Sequence, residues 1–271
     1  MSEAATWRAW ALSRLPGGDE ERSEVLAALL ARTPEEWRER VDDELAKALV
    51  ALLGDASRTR QRRAADAIGA LFTDVPALER ELSRSLASPE ARLRWGAAYT
   101  LGRAASPRAD IWPPVREALA REDGDQRWAA AELACRLARE HASVLQEIRD
   151  GLSSPSPTLR RMLLYCLRDL AVPDLARAAC GALADPDSGV RLAALSALTR
   201  APLAGESTIC AEAVAALLEA EPEPGVRRAA AAALGKLGVA SAPVLEALSR
   251  AAASDDASLA RVAAAARTQL A

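Results

Sequence analysis

Aromatic residues are scarce in this sequence of 271 residues: six tryptophans, two tyrosines and one phenylalanine make up 3% of the chain. Half of the residues are nevertheless apolar. The apolar content therefore consists mainly of small side chains that favour helices, rather than of β-branched or aromatic ones. This composition predicts a soluble, helical chain with enough apolar residues for a sizeable core.

Histidine and closely spaced cysteines are also lacking. His141 is the only histidine, and the cysteines Cys135, Cys166, Cys180 and Cys210 form no C-x-x-C pair. These absences disfavour histidine-rich metal sites, zinc knuckles and a disulfide framework, and they leave one imidazole for any catalytic triad. We expect no metal and no cofactor, and a protein that is not an enzyme.

Long apolar runs are missing, since no stretch approaches the length of about 18 residues that a membrane helix needs. The N-terminus shows no apolar segment followed by a cleavage site. We therefore expect a cytoplasmic protein that does not bind membranes. The net charge of −3 and the presence of only two lysines, Lys47 and Lys236, disfavour nucleic acid as a partner.

One motif recurs along the chain. Its clearest copy is GVRRAAAAALGKLG from Gly225, which follows the acidic, proline-containing turn 221–224. Related copies are DPDSGVRLAALSAL from Asp185, SPEARLRWGAAYTLG from Ser88 and SPSPTLRRMLLYCL from Ser154. We define position 0 of each copy as the residue before the arginine of the motif, or before the residue that aligns with this arginine. Across the chain position 0 is occupied by Arg60, Leu93, Gln126, Leu159, Val190, Val226 and Leu259, at spacings of 33, 33, 33, 31, 36 and 33.

This period predicts seven helix-turn-helix repeats, in which the motif forms the second helix. The predicted first helices cover Pro34–Leu53, Pro76–Leu86, Pro113–Arg121, Ala142–Leu152, Pro173–Ala184, Ser207–Ala220 and Pro243–Ala253. Two further helices, Glu3–Leu15 and Glu20–Ala31, are expected to cap the N-terminal end. We therefore expect an N-terminal helical cap over residues 1–32, continuous with one repeat domain over residues 33–271.

The acidic-proline turn followed by V-R-x-A-A-x-x-A-L-G resembles the short bacterial HEAT repeats, which also occur in phycobilin-lyase-type repeat proteins. The resemblance covers residues 34–271. It implies an all-α fold, a right-handed, armadillo-like α-solenoid of about seven HEAT-like repeats. Together with the absence of catalytic spacing, this fold favours a non-enzymatic scaffold for protein-protein interaction, with the second helices lining a concave face that binds a partner protein or peptide. We expect this scaffold to be a monomer.

Helical periodicity separates a core side from an open side in each second helix. Positions 0, 3, 4, 7, 8 and 11 share one stripe, whereas positions 2, 6 and 9 point away from it. Cys135 at position 9 is therefore expected to be exposed. The predicted binding residues lie at positions 2 and 6 of the first four repeats: Arg62, Asp66, Trp95, Tyr99, Trp128, Glu132, Arg161 and Tyr165.

Two interpretations of these residues stay open at this point. Residues at positions 2 and 6 are neighbours on a helix, so the four pairs could form an aromatic, charged patch that stacks a planar group or anchors a peptide. Alternatively, Trp95 and Trp128 simply cover neighbouring alanine-rich helices.

A second column consists of arginines at position 1. We interpret it as structural, because such arginines can donate to carboxylates and carbonyls in adjacent turns. Phosphate or carboxylate binding is the alternative. The members of this arginine ladder are Arg94, Arg127, Arg160, Arg191 and Arg227.

Two other functions are possible by resemblance. The HEAT-like DNA alkylation-repair glycosylases also use tryptophans, an acidic residue and arginines, and Trp128 and Glu132 with Trp95 and Arg161 are similar to that set. A small-molecule- or pigment-binding, lyase-like subunit is the second alternative, by resemblance to the phycobilin-lyase repeats.

Overall fold

The computed structural model describes residues 3–31, 33, 36–37, 40–201 and 205–271. Within these residues the chain forms sixteen α-helices and no strand, which confirms the all-α prediction. In the same residues, no helix is both long enough and apolar enough to cross a membrane.

The helices follow the predicted order of an N-terminal pair and seven repeats. The N-terminal pair is α1 (Glu3–Arg14) and α2 (Asp19–Leu30). The first helices of the repeats are α3 (Asp43–Ala51), α5 (Pro76–Ser85), α7 (Trp112–Leu119), α9 (Ala142–Asp150), α11 (Leu175–Ala182), α13 (Ser207–Ala220) and α15 (Ala242–Ala252). The second helices are α4 (Arg58–Gly69), α6 (Ala91–Leu101), α8 (Gly124–Glu140), α10 (Pro157–Leu170), α12 (Ser188–Leu198), α14 (Pro224–Leu237) and α16 (Ala257–Leu270).

Each second helix begins two residues before its position 0, so the register predicted from the repeat is confirmed. A side chain at position −3 explains this common start in several repeats. The Asp187 carboxylate accepts the Val190 amide at 3.0 Å, and the Asp256 carboxylate accepts the Leu259 amide at 3.1 Å. Such a cap satisfies an amide that has no partner inside the helix, and it fixes where the helix begins.

The predicted continuous helix Pro34–Leu53 is wrong. Helix α3 begins only at Asp43, because the Asp42 carboxylate accepts the Leu45 amide at 3.0 Å and caps the helix there. Near the start of that predicted helix, the Thr33 amide donates to the Glu36 carboxylate at 2.9 Å. Residues 32, 34, 35, 38 and 39 lie outside the described residues, as do residues 1, 2 and 202–204.

The chain divides into two compact units. The first comprises Met1–Ala118 and Arg136–Val144. In this unit α1 contacts α2 and α3, α2 contacts α4, α3 contacts α5, and α4 contacts α6. The N-terminal pair thus packs on repeat one as a cap would, and Trp37 is fully buried with its indole N–H donating to the Leu29 carbonyl at 2.9 Å.

The second unit comprises Leu119–Cys135 and Leu145–Ala271. Here the first helices α11, α13 and α15 contact one another in succession, and so do the second helices α10, α12, α14 and α16. In α14 four of the six predicted core positions are buried, namely Val226, Ala230, Ala233 and Leu234, whereas Ala229 and Leu237 are partly exposed. Whether residues 33–271 act as one continuous domain stays a prediction.

Candidate functional site

Trp128 and Tyr165 form a stacked aromatic pair in the second unit. Helix α8 carries Trp128 at position 2 and helix α10 carries Tyr165 at position 6 of the next repeat. Their ring centroids lie 5.6 Å apart with an interplanar angle of 23°. Tyr165 is half-buried, whereas Trp128 is 52% exposed. The sequence placed both side chains on the open side, but the contact between them joins neighbouring repeats and depends on how the repeats stack.

An arginine extends this aromatic pair. The Arg168 guanidinium lies 4.8 Å from the centroid of the Tyr165 ring, within the range of a cation–π contact. It also donates to the Asp169 carboxylate at 2.8 Å and to the Ser196 hydroxyl at 3.2 Å. The hydrogen bond with Asp169 raises the pKa of Arg168 above its ordinary value. Sequence reasoning missed Arg168, although its position three residues after Tyr165 on one helix is a usable signal.

Charged and apolar side chains surround the pair. Arg161 is half-buried and lies against Gly189, where an added Cβ would sit 3.0 Å from its Nη1 atom. Leu192 is 38% exposed, and Glu132 is exposed. Among the described residues, neither Arg161 nor Glu132 has an ion-pair partner. The surface can therefore offer an aromatic face, an uncompensated cation and an uncompensated carboxylate.

The first unit holds the other half of the predicted set. Trp95 and Tyr99, at positions 2 and 6 of α6, have ring centroids 5.6 Å apart and tilted by 39°, and both are half-buried. Arg62 and Asp66 are exposed, but they do not pair with each other. The Asp66 carboxylate instead accepts a hydrogen bond of 2.5 Å from Nη1 of Arg103, which lies two residues after the end of α6.

The eight predicted binding residues are thus divided between the two units. Arg62, Asp66, Trp95 and Tyr99 belong to the first. Trp128, Glu132, Arg161 and Tyr165 belong to the second. Only the second set contains a strongly exposed aromatic ring, so the second unit carries the better candidate site.

The arginines at position 1 join turns of adjacent repeats. Arg191 forms two bonds of 2.7 Å with the Glu221 carboxylate, and its Nη1 donates back to the carbonyls of Asp185 and Pro186. The hydrogen bond from Arg191 holds the pKa of Glu221 below its usual value. Because the guanidinium is planar and has several donors, one side chain can bind both turns at once.

Other members of the arginine ladder share parts of this geometry. Arg160 bonds the Asp185 carboxylate at 2.7 Å through two nitrogens, and Arg94 bonds Glu117 at 2.8–3.0 Å. Arg127 donates only to the carbonyls of Arg121 and Glu122, at 2.7 Å each. In contrast, the buried Nε of Arg227 has no hydrogen-bond partner within the described residues.

The cysteines do not form a metal set. Cys135, expected to be exposed at position 9, is buried, and its thiol donates to the Cys166 carbonyl at 3.7 Å. Position 9 therefore faces the neighbouring second helix rather than solvent. The Sγ atoms of the free thiols Cys180 and Cys210 lie 2.7 Å apart, and burial together with Cys210 raises the pKa of Cys180 to about 12. No group of three potential metal ligands exists in the described part of the chain.

Residues 182–267 match the family model of HEAT repeats. This part of the chain therefore carries HEAT repeats. That match runs from the end of α11 in repeat five, through repeat six, into the last helix α16 of repeat seven. No curated protein matches the sequence.

Two solved structures are similar to this chain across its length. YibA of Escherichia coli is 16% identical with a TM-score of 0.52, and the alignment covers 100% of this chain and 97% of that one. A mutant of Kap121p is 14% identical with a TM-score of 0.53, and the alignment covers 98% of this chain and 37% of that one. At these identities the likeness shows the fold alone, and it confirms the predicted α-solenoid class.

Proposed function

We propose that this HEAT-repeat protein is a non-enzymatic scaffold that binds a partner protein or peptide through its second helices, with Trp128 as the anchor. The HEAT-type solenoid is typical of protein-interaction scaffolds, which use extended surfaces made by successive repeats. The observation that supports this site is the 52% exposed indole of Trp128, stacked on Tyr165.

The stack favours Trp128 as a binding residue for an energetic reason. An aromatic side chain can bury about 150–250 Å² and has few rotatable bonds to immobilise. Its contact with Tyr165, itself held against Arg168, restricts the indole before any partner arrives. A partner that covers this ring therefore gains apolar burial at a small cost in side-chain entropy.

The alternative interpretation, that the tryptophans only cover neighbouring helices, suits Trp95 better than Trp128. Trp95 is half-buried against Tyr99 on its own helix, so packing accounts for much of its surface. Trp128 leaves half of its surface in solvent even after stacking on Tyr165. We therefore centre the proposed site on the second unit.

The test compares Trp128→Ala with Ile209→Ala. Ile209 is a matched control because it is 69% exposed in the second unit but lies on a first helix, α13. Proteins retained from a cell extract by the wild-type chain are identified, produced in pure form and titrated against each variant. Loss of an anchor of this kind costs about 2 kcal/mol or more, or roughly a thirtyfold rise in Kd.

Two results would remove the assignment. If Trp128→Ala bound every purified partner as tightly as wild type, the indole would not be the anchor. If Ile209→Ala weakened binding to the same extent, binding would depend on exposed apolar surface in general. Circular dichroism of both variants checks that each is folded.

We further propose that the scaffold acts as a cytoplasmic monomer without a cofactor, and sedimentation of the purified chain tests its oligomeric state. The DNA glycosylase and pigment-lyase alternatives stay predictions, because no contact described above favours either of them over a scaffold.

A further inference from the structure

Charge is strongly segregated on the last four second helices. Together α10, α12, α14 and α16 contain nine cationic side chains and one carboxylate, that of Asp169. The cations are Arg160, Arg161, Arg168, Arg191, Arg227, Arg228, Lys236, Arg261 and Arg267. Since the whole chain carries a net charge of −3, this cationic surface is a local feature and does not reflect the overall composition.

Some of these charges are already neutralised. Arg160 and Arg191 bind carboxylates in the turns, and Arg168 binds Asp169. Arg228 also forms an ion pair, with Asp256 at 3.6 Å. In the part of the chain that the structure describes, Arg161 and Arg261 have no ion-pair partner. Arg161 and Arg261 are therefore available to an anionic ligand, and Arg228, whose side chain is 41% exposed, can share its charge between Asp256 and such a ligand.

The available arginines occupy one column with two apolar residues. Position 2 of repeats three to seven reads Trp128, Arg161, Leu192, Arg228 and Arg261, and all five are at least partly exposed. Successive second helices from α10 to α16 contact one another, and Trp128 of α8 stacks on α10. Neighbouring members of this position-2 column are therefore about 10 Å apart, the usual distance between packed helices.

An extended peptide has a matching period. In the extended polyproline II conformation each residue advances by about 3.1 Å and three residues complete one turn of about 9 Å. Side chains three residues apart then lie on the same side, so a polyproline II segment crossing the second helices would present every third side chain to the position-2 column. From Trp128 to Arg261, the peptide side chains that complement this column are in order apolar, acidic, apolar, acidic and acidic.

We propose that the partner segment is acidic and extended in the polyproline II conformation, with carboxylates and apolar side chains at every third residue in that order. The inference depends on the proposed function, because it names the ligand of the same surface. Carboxylates form charge-assisted, two-pronged bonds with arginine, and Leu192 and Trp128 accept the apolar side chains.

The same column fits nucleic acid less well. A nucleic-acid backbone carries a phosphate on every nucleotide and is bound through many cationic contacts. Here Leu192 interrupts the arginines, and the uncompensated carboxylate of Glu132 lies one helical turn from Trp128. Alternation of apolar and cationic residues is the pattern expected for an acidic peptide.

The experiment uses the full chain and synthetic peptides of thirteen residues, labelled for fluorescence anisotropy. The first has phenylalanine at its first position, leucine at its seventh, glutamate at its fourth, tenth and thirteenth, and serine or glycine elsewhere. A second has the reverse order, since the direction of binding is not fixed by the column. The control has the same composition with its three glutamates adjacent.

One of the two ordered peptides is expected to bind at least about tenfold more tightly than the control, and more weakly as salt rises. The triple variant Arg161→Gln, Arg228→Gln and Arg261→Gln is expected to lose at least about tenfold in affinity. Arg177→Gln, which changes an 83% exposed arginine on the first helix α11, is the matched control and should bind like wild type.

Several outcomes would overturn the inference. These are absence of binding for both ordered peptides, equal binding of the control peptide, and unchanged binding by the triple variant with circular dichroism like wild type. Tighter binding of an oligodeoxythymidine, with the same dependence on the three arginines, would instead assign the surface to nucleic acid.

The partner identified in the Trp128 experiment is also titrated against the arginine triple variant. This measurement distinguishes failure of the present inference from failure of the proposed function. If Trp128→Ala weakens binding of that partner but the arginine triple variant does not, the proposed scaffold function stands and the inference of an acidic ligand is wrong. If neither change weakens it, both proposals fail.

Discussion

At the scale of single residues, the end of a second helix shows how one repeat informs another. Ala171 follows α10 with φ of 51° and ψ of 43°, the left-handed conformation that favours glycine. Gly238 occupies the same place after α14, twelve residues past position 0, with φ of 69°. Repeat four therefore has an alanine at the position where repeat six has glycine, the residue that adopts the left-handed conformation without strain.

We predict that Ala171→Gly stabilises the chain by about 1 kcal/mol, because a Cβ in the left-handed region costs about that much. The reciprocal change Gly238→Ala should destabilise it by a similar amount, since an added Cβ there meets no atom within 4 Å and only the backbone strain is felt. Urea unfolding of the two variants measures both effects. Destabilisation by Ala171→Gly would contradict the prediction.

The candidate site could be predicted only in part at this scale. Helical periodicity assigned Trp128 to the open side, because that assignment needs only the phase of one helix. The same argument misplaced Cys135, since position 9 packs against the next second helix. The Trp128–Tyr165 stack and the contact of Arg168 with it depend on the offset between packed helices or on side-chain rotamers, which the periodicity of one helix does not specify.

At the scale of elements, most helix bounds followed from the sequence. A fixed motif sets position 0, and a residue such as Asp187 or Asp256 at position −3 can cap the helix, so both signals are local. The prediction of one continuous helix over Pro34–Leu53 was wrong because its residues favour helix nearly throughout, so propensity gave no sign of a break. The Asp42 carboxylate sets the start of α3 by accepting the Leu45 amide, and no proline or glycine marks that start in the sequence.

Close packing between elements gives a second prediction. A Cβ added at Gly96 would lie 2.6 Å from the Leu53 carbonyl oxygen and 2.7 Å from Leu53 Cβ, so the backbones of two repeats would have to separate. Gly96→Ala should destabilise the chain by about 1–3 kcal/mol despite the better helix propensity of alanine. Gly181→Ala is the control, because its Cβ meets nothing within 4 Å and it should stabilise α11 by up to about 1 kcal/mol. Thermal unfolding that ranks the two variants in the opposite order would contradict this account.

The arginine ladder gives a third prediction at the same scale. Glu221 is 5% exposed, and its carboxylate accepts two bonds from Arg191. Arg191→Met should cost about 3 kcal/mol, because it leaves a buried carboxylate without its cation and frees two turn carbonyls. Arg177→Met, at an exposed arginine, should change the free energy of unfolding by less than about 0.5 kcal/mol. Equal effects of the two changes would show that the Arg191 contacts do not stabilise the fold.

At the scale of the whole molecule, carboxylates held by arginines recur in both units. Arg60 lowers the pKa of Asp55 in the first unit, and Arg191 lowers that of Glu221 in the second. The Arg149 guanidinium lowers the pKa of Asp174 in the same way. The repeats therefore share one electrostatic feature, which makes stability of the chain dependent on pH in a defined direction.

A lowered pKa in the folded state means that the unfolded chain binds more protons as the solution becomes acidic. The stability contributed by these carboxylates is complete above their ordinary pKa values, and it is lost as pH falls through those values towards the lowered ones. We predict that the free energy of unfolding in urea changes little from about pH 7 to 5.5 and then decreases steadily towards about pH 3. Arg191→Met removes the partner of Glu221, so the difference in stability between wild type and this variant should shrink over the same acidic range. A difference that stayed constant or grew below about pH 5 would mean that the Arg191–Glu221 pair does not contribute to the acid sensitivity of the repeats.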